Sequence, residues 1–193
     1  NTQLMRAKGV RMDYTGPDAA DFADVAALNH AFLVRLRSPG PPGARLREHL
    51  PAQLRAVVAA LRDVQVERLT SSPFLLLSLR ERDADFWQRL AAEQALPDLF
   101  AAERDYTDDL LAAAVSFLWH LARRNPYAVR LIAGAGNDWC SLVTSTTLLA
   151  LLRQASSRRD LLHAQREQAA LEVDGLKSHV NALEEVITAR RTA

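Results

Sequence analysis

Apolar residues recur every three or four positions along most of this chain, and this spacing limits the folds that it can adopt. An α-helix places residues with that spacing on one face, where they can pack against a core. No segment alternates apolar and polar residues over more than a few positions, as a half-buried strand would. The sequence therefore predicts an all-α fold, a multi-helix bundle. Segment 105–124 shows the pattern most clearly, with one face made of Tyr106, Leu110, Ala114, Phe117, Leu118 and Leu121.

Proline-rich and glycine-rich stretches divide the first half of the bundle. The first helix is expected from Pro17 to about Arg37, with Phe22 on its buried face, and the stretch 38–43 should end it as a linker or loop. A second apolar stripe covers 46–64 and predicts one helix, which Pro51 either opens or kinks.

Capping residues predict the remaining helices of the bundle. Ser72 followed by Pro73 predicts a short helix over 74–79, and Asp83 is expected to cap the helix after it. Asn125 followed by a proline predicts a short helix that ends at glycines 134–136, and a single helix over 138–154 should follow. Residues 17–155 thus contain about six helices.

The domain organisation predicted from these patterns has three parts. Residues 1–16 show no period and form a flexible tail, and residues 17–155 form the helical bundle domain. Residues 156–193 are expected to form a long C-terminal helix, continuous over 158–191, which is the candidate dimerisation segment.

The C-terminal helix carries a heptad repeat. β-branched residues occupy its a positions and mainly leucine its d positions, a combination that favours a short coiled coil of two parallel strands and hence a homodimer. Against this, Arg166 falls at an a position, and Leu171 and Val186 widen the stripe toward that of a helix packed on its own domain. Both interpretations remain open from the sequence. The candidate dimerisation residues are Leu162, Ala169, Val173, Leu176, Val180, Leu183 and Ile187.

Motifs for catalysis or cofactor binding are missing from the sequence. It contains no phosphate-binding GxxxxGK[ST], no HExxH and no GxSxG. We therefore predict no catalytic residue, no metal and no cofactor. The only cysteine, Cys140, lies just inside a predicted helix, where its pKa could be lowered, although a free cysteine is usually a small buried apolar residue.

Nucleic-acid binding is the second interpretation. The predicted helices 126–133 and 138–154 have the lengths of a helix-turn-helix, but the second contains no basic residue before Arg153. A net charge of +1 also gives no general attraction to phosphate. The candidate nucleic-acid contacts are Arg153, Arg158, Arg159 and Arg166.

The function predicted first is that of a non-enzymatic α-helical interaction protein, an adaptor, assembly subunit or regulator that self-associates through its C-terminal helix and binds a further protein partner. A DNA-binding transcriptional regulator using residues 126–159 is the alternative, and a helical enzyme or ligand-binding bundle comes third. A single cysteine excludes an internal disulfide, so a reducing, cytoplasmic location is expected. No uncharged apolar run approaches the length of about 18 residues that a membrane span needs, so no membrane association is predicted.

Overall fold

The computed structural model describes residues 15–48, 50, 52–92, 109–156, 158 and 161–164. Helices cover 73% of these residues, which confirms the predicted all-α class for this part of the chain. None of the helices described is long and apolar enough to cross a membrane. The helices are α1 (Ala19–Arg37), α2 (Pro41–Glu48), α3 (Ala52–Ala59), α4 (Asp63–Thr70), α5 (Ala84–Ala92), α6 (Asp109–Arg124), α7 (Pro126–Ala133), α8 (Asn137–Ser145) and α9 (Leu148–Ser156). The strands are β1 (Leu77–Ser78) and β2 (His163–Ala164).

Helix α1 lies at the centre of the fold and packs against α2, α3, α4 and α6. Asp18 caps its first turn in a reciprocal arrangement with Asp21, each side chain accepting a hydrogen bond from the other's backbone amide at 2.9 Å. Arg124 at the end of α6 forms ion pairs with both aspartates. The prediction that Phe22 is buried is wrong, because this first turn directs Asp21 inward and leaves Phe22 41% exposed.

The predicted linker at 38–43 is shorter than expected, because α2 already begins at Pro41. A proline is compatible with the first turn of a helix, where its missing N–H would have no intrahelical partner. The Arg47 guanidinium closes the connection by donating to the backbone oxygens of Leu36 at 2.5 Å and Ser38 at 2.6 Å. A Cβ atom at Gly43 would collide with the backbone oxygens of Ser38 and Arg35, so this close approach requires glycine.

The apolar stripe over 46–64 belongs to parts of three helices, not to one. Helix α3 begins at Ala52, and Pro51 itself lies outside the described residues. Val64, at the start of α4, is 74% exposed although its spacing assigned it to the buried face. The chain turns between α3 and α4, and the change of direction takes Val64 out of the stripe.

The segment 72–79 is extended, so the prediction of a short helix there is wrong. Four of its leucines are buried, namely Leu75, Leu76, Leu77 and Leu79. A helix would bury one face only, whereas a short run of consecutive apolar residues suits a strand that is buried on both sides. The backbone amide of Leu75 accordingly donates to the oxygen of Ile132 at the end of α7, at 3.0 Å.

A buried asparagine supplies further hydrogen bonds to this extended segment. Asn29 of α1 is 0% exposed, and its side-chain oxygen accepts from the backbone amide of Leu76 at 2.8 Å. Its side-chain nitrogen donates to the oxygen of Phe74 at 2.8 Å and to that of Ser72 at 3.5 Å. The amide of this one side chain thereby satisfies backbone groups between residues 72 and 76, before the start of β1.

The second half of the domain is built on α6, which packs against α1, α7, α8 and α9. Asn125 caps α7 as predicted, accepting from the amide of Ala128 at 3.1 Å, and Gly134 ends that helix with a φ of 68°. The predicted helix 138–154 is wrong, because it divides at Thr146 into α8 and α9. The backbone of Thr146 is extended, and its oxygen accepts from the indole Nε1 of Trp119 at 2.9 Å.

Candidate interaction site

The last described residues, 161–164, pack on the helices and on β1; we call them the C-terminal anchor. His163 and Ala164 pair antiparallel with Ser78 and Leu77, so the expectation of a helix from residue 158 onward is wrong at this point. Leu161 and Leu162 are buried beside this pairing. The short two-strand ladder and the two buried leucines fix the backbone at the start of the predicted heptad repeat, which includes Leu162.

The seam residues predicted from the sequence therefore fall into two groups. Leu162 is 5% exposed within the core of its own chain, so this conformation does not offer it to a second molecule. The position of Leu162 differs from the predicted seam because strand pairing, not helix periodicity, fixes residues 163 and 164. The other seam residues lie outside the described residues, and they are Ala169, Val173, Leu176, Val180, Leu183 and Ile187.

Strand β1 pairs with the C-terminal anchor, and the turn 78–81 begins at the last residue of this strand. Glu81 is 4% exposed, and its carboxyl group accepts from the Ser78 hydroxyl at 2.7 Å and from the backbone amide of Leu79 at 2.9 Å. The indole Nε1 of Trp87 donates to the backbone oxygens of Leu79 at 3.0 Å and Arg80 at 3.1 Å. Arg80 has a φ of 58°, which a residue with a side chain adopts only when its surroundings impose it.

Burial raises the pKa of Glu81 above its ordinary value, while the hydrogen bonds from Leu79 and Ser78 and the charge of Arg82 act in the opposite direction. In the unfolded chain this carboxyl group loses its proton near its ordinary pKa of about 4.3. Between that pH and the raised pKa, the folded chain holds the proton that the unfolded chain has lost. The contribution of Glu81 to the free energy of unfolding therefore falls as the pH rises.

We expect Glu81→Gln to remove this pH dependence, because the amide is neutral and retains an oxygen that accepts from Leu79. Urea unfolding at several pH values from about 4 to about 8 gives the free energy of unfolding as a function of pH. This free energy should fall more steeply with pH in the parent than in the variant. Glu67→Gln, at an exposed position, is the control and should retain the parental slope. Asp18 and Asp83, whose pKa values backbone hydrogen bonds lower, contribute stability that is present above their ordinary pKa of about 3.8 and is lost as the pH falls below it, so they add little slope over this range. Equal slopes in parent and Glu81→Gln would contradict the role given to this carboxyl group.

Helices α7 and α8 form the second candidate site. Eight residues in α7, a turn at 134–136 and nine residues in α8 match a helix-turn-helix in length and in the glycine of the turn. The inner face of α8 is formed by Trp139, Cys140 and Val143. Its outer face is polar and carries no Lys or Arg, the exposed residues being Asn137, Asp138, Ser141 and Ser145.

The arginines proposed as nucleic-acid contacts do not lie on this outer face. Arg153 is in the last turn of α9 and is half-buried, and Arg158 is a half-buried residue beyond the end of that helix. Arg159 and Arg166 lie outside the described residues. The structure thus provides two helices of suitable length without bringing the described arginines to the outer face of α8.

Cys140 is buried at the start of α8, and burial raises the pKa of its thiol, so the geometry favours a packed apolar residue over a reactive thiolate. The described residues contain no group of three His, Cys, Asp or Glu side chains that could hold a metal ion.

Comparison with protein-family models, with curated proteins and with solved structures finds no match to the chain. A functional interpretation accordingly depends on the residues themselves.

Proposed function

We propose that this chain is a non-enzymatic α-helical interaction protein, an adaptor, assembly subunit or regulator, which self-associates as a parallel homodimer through residues 169–187. The heptad repeat is the observation that carries the proposal: valine and isoleucine occupy its a positions, and leucine or alanine its d positions. These residues begin five positions after the C-terminal anchor. A dimer formed there would therefore join two folded domains at a fixed point of each chain.

The charges beside the seam favour the parallel orientation. In a parallel pair each g residue faces the e residue five positions later on the other chain. Glu172 then meets Lys177 of the partner subunit, and His179 meets Glu184 of the partner subunit. Antiparallel pairing would set g against g and e against e, which loses both matches. Each exposed pair contributes only about 0.2–1 kcal/mol, so the charges select orientation while the seam provides affinity.

The test is the double substitution Leu176→Asp and Leu183→Asp in the full chain. Two carboxylates at d positions would face their own copies across an apolar seam, so the variant should be monomeric at tens of micromolar by light scattering, where the parent is a dimer. Circular dichroism should show that the domain over 15–164 remains folded. A matched control places the same charges at two f positions, also seven residues apart, with Leu171→Asp and Ser178→Asp. This control should remain dimeric.

Two results would overturn the proposal. The parent could be monomeric over the same concentration range, in which case the apolar stripe has no second copy to bind. Alternatively, Leu176→Asp with Leu183→Asp could unfold the whole chain. The C-terminal residues would then pack on their own domain, as the wider stripe with Leu171 and Val186 allows.

Binding of DNA through α7 and α8 is the second candidate function, favoured by the length of the helix pair and by the exposed polar outer face of α8. Contacts with phosphate release counterions, so affinity for generic duplex DNA should fall steeply with salt concentration. A protein interaction surface need not show this dependence. Absence of duplex binding at low salt would exclude this candidate and leave the first proposal unaffected.

A further inference from the structure

Three large apolar side chains are exposed on elements that contact one another. Phe22 of α1 is 41% exposed, Phe74 of the extended segment is 38% exposed and Leu131 of α7 is 40% exposed. Single exposed apolar residues are common on protein surfaces, whereas a group of large ones often marks an interaction site. Whether these three form one surface depends on how α1, the extended segment and α7 are joined.

The starts of α1 and α7 are held side by side. Arg124, the last residue of α6, forms ion pairs with Asp18 and Asp21 at the start of α1. Asn125, which caps α7, donates from its side-chain nitrogen to the backbone oxygen of Thr15 at 2.8 Å. The chain that leads into α1 is therefore fixed at the point where α7 begins.

The extended segment joins the same two helices further along. The Asn29 side chain of α1 donates to the backbone oxygen of Phe74 at 2.8 Å. The next amide of the segment, that of Leu75, donates to the backbone oxygen of Ile132 in α7 at 3.0 Å. Both helices therefore run from a shared start to the same extended segment, and we call the space between these two connections the α1–α7 groove.

Apolar residues are distributed along the whole length of this groove. Phe22 belongs to the second turn of α1, Leu131 directly precedes the far connection on α7, and Phe74 lies at the far end. Tyr127, one turn before Leu131, is half-buried and lines a cleft of about 610 Å³ at the near end, which Thr15 also lines. The groove thus extends from the residue where the chain enters α1 to the extended segment.

The charged groups that line the near end are mostly paired with one another. Asp18 and Asp21 share the guanidinium of Arg124. Arg130 lines the same cleft, is exposed, and forms no ion pair with another described residue. A carboxylate on the molecule or segment that occupies the groove would therefore be favoured beside Arg130.

The residues directly before Thr15 have a length and an apolar face that suit the groove, although they lie outside the described residues. Val10, Met12 and Tyr14 are two positions apart, so extended backbone places them on one face. Extended backbone covers about 17 Å over the five residues before Thr15. Helix α1 rises by about the same 17 Å over 18–29, the length of the groove.

We propose that residues 10–14 bind in the α1–α7 groove of their own chain, antiparallel to α1, with their apolar face on Phe22 and Leu131. Asp13 then points away from this face and pairs with exposed Arg130. The segment is tethered at the near end of the groove, so its effective concentration there exceeds that of the same segment on a second copy. This intramolecular contact is independent of the C-terminal seam.

Engineered cysteine pairs test this position in the full chain, in a background with Cys140→Ala that removes the buried native thiol. Met12→Cys with Leu131→Cys should form a disulfide within one chain under mild oxidation, because the bound segment brings the two side chains together. The matched control is Met12→Cys with Val64→Cys, at a position of α4 that is 74% exposed. It should crosslink at least about tenfold more slowly. Non-reducing gel electrophoresis separates a crosslinked monomer from a crosslinked dimer.

Trypsin provides a second measurement that needs no new cysteine. Cleavage after Arg11 requires the segment to leave the groove, so Leu131→Asp should speed this cleavage at least about fivefold over the parent. Val64→Asp, which places the same charge at an exposed position outside the groove, should be cleaved at the parental rate. Circular dichroism checks that each variant is folded, and the cysteine pairs decide if Leu131→Asp is not.

Three results would overturn the proposal. The pair Met12→Cys with Leu131→Cys could crosslink no faster than the control pair. Its disulfide could instead join two chains, in which case a second copy occupies the groove. Finally, trypsin could cleave after Arg11 at the same rate in the parent and in folded Leu131→Asp, which would mean that the groove does not protect the segment.

Discussion

Asn29→Ala should lower the free energy of unfolding by about 2–6 kcal/mol, because it leaves two backbone groups of the extended segment without partners at about 1–3 kcal/mol each. The groups are the buried amide of Leu76 and the oxygen of Phe74, both 2.8 Å from the Asn29 side chain. Water cannot easily replace the lost partner at a side chain that is 0% exposed. Urea unfolding followed by circular dichroism measures the change.

Two further variants separate hydrogen bonding from packing at this position. Asn29→Leu retains the volume of the side chain and none of its polar atoms, so it should be destabilised to a similar extent as Asn29→Ala. His30→Ala, at the next and exposed position of α1, should change stability by less than about 0.5 kcal/mol. If Asn29→Leu is as stable as the parent, the extended segment is held by its leucines and the hydrogen bonds contribute little.

Polar side chains of three different elements support this one extended segment. Asn29 binds its start, the Trp87 indole and the Glu81 carboxyl group bind its end, and Ile132 contributes a backbone oxygen between them. These groups satisfy amides and carbonyls that a second strand would otherwise satisfy. β1 is therefore fixed by the domain on one side, and its remaining edge accepts the two residues of β2.

Helix ends that are fixed by neighbouring residues in the sequence could be predicted from the sequence alone. The caps at Asp83 and Asn125 and the stop at Gly134 depend on residues within one turn of the helix end, so the amino-acid type alone indicates the structure. The division at Thr146 depends instead on Trp119, which lies in another helix. A contact between residues that are distant in sequence leaves no local pattern, and the prediction of one helix over 138–154 was wrong for that reason.

The buried polar side chains of the described region could be predicted only in part. Asn29 falls four residues after Val25 and three before Phe32 on a buried stripe, so a polar residue at a core position was a usable signal for a buried hydrogen-bond network. Glu81 gave no such signal, because its burial depends on α5 and on the close approach of the turn 78–81. The cleft between α5 and α8 is lined by residues of both helices and of the turns 78–81 and 134–136, which only the tertiary structure places next to one another.

Leu118→Ala should lower the free energy of unfolding by about 2–5 kcal/mol, because it leaves a cavity in the centre of α6. Leu118 is 0% exposed, and the helix that carries it packs against four others. The neighbouring Phe117 occupies the same apolar stripe in the sequence, but it is half-buried. A partly exposed aromatic side chain loses less on truncation, so Phe117→Ala should cost about 1–2 kcal/mol.

The order of these two effects tests which side of α6 faces the core. From the sequence alone, the larger phenylalanine would be expected to lose more on truncation. The structure reverses the expected order, because the Leu118 side chain is 0% exposed whereas Phe117 is only half-buried. Thermal unfolding of both variants at the same pH measures the difference, and each 1 kcal/mol corresponds to about 2–4 °C in Tm for a chain of this size. A larger loss for Phe117→Ala would mean that α6 is rotated about its axis relative to the structure described.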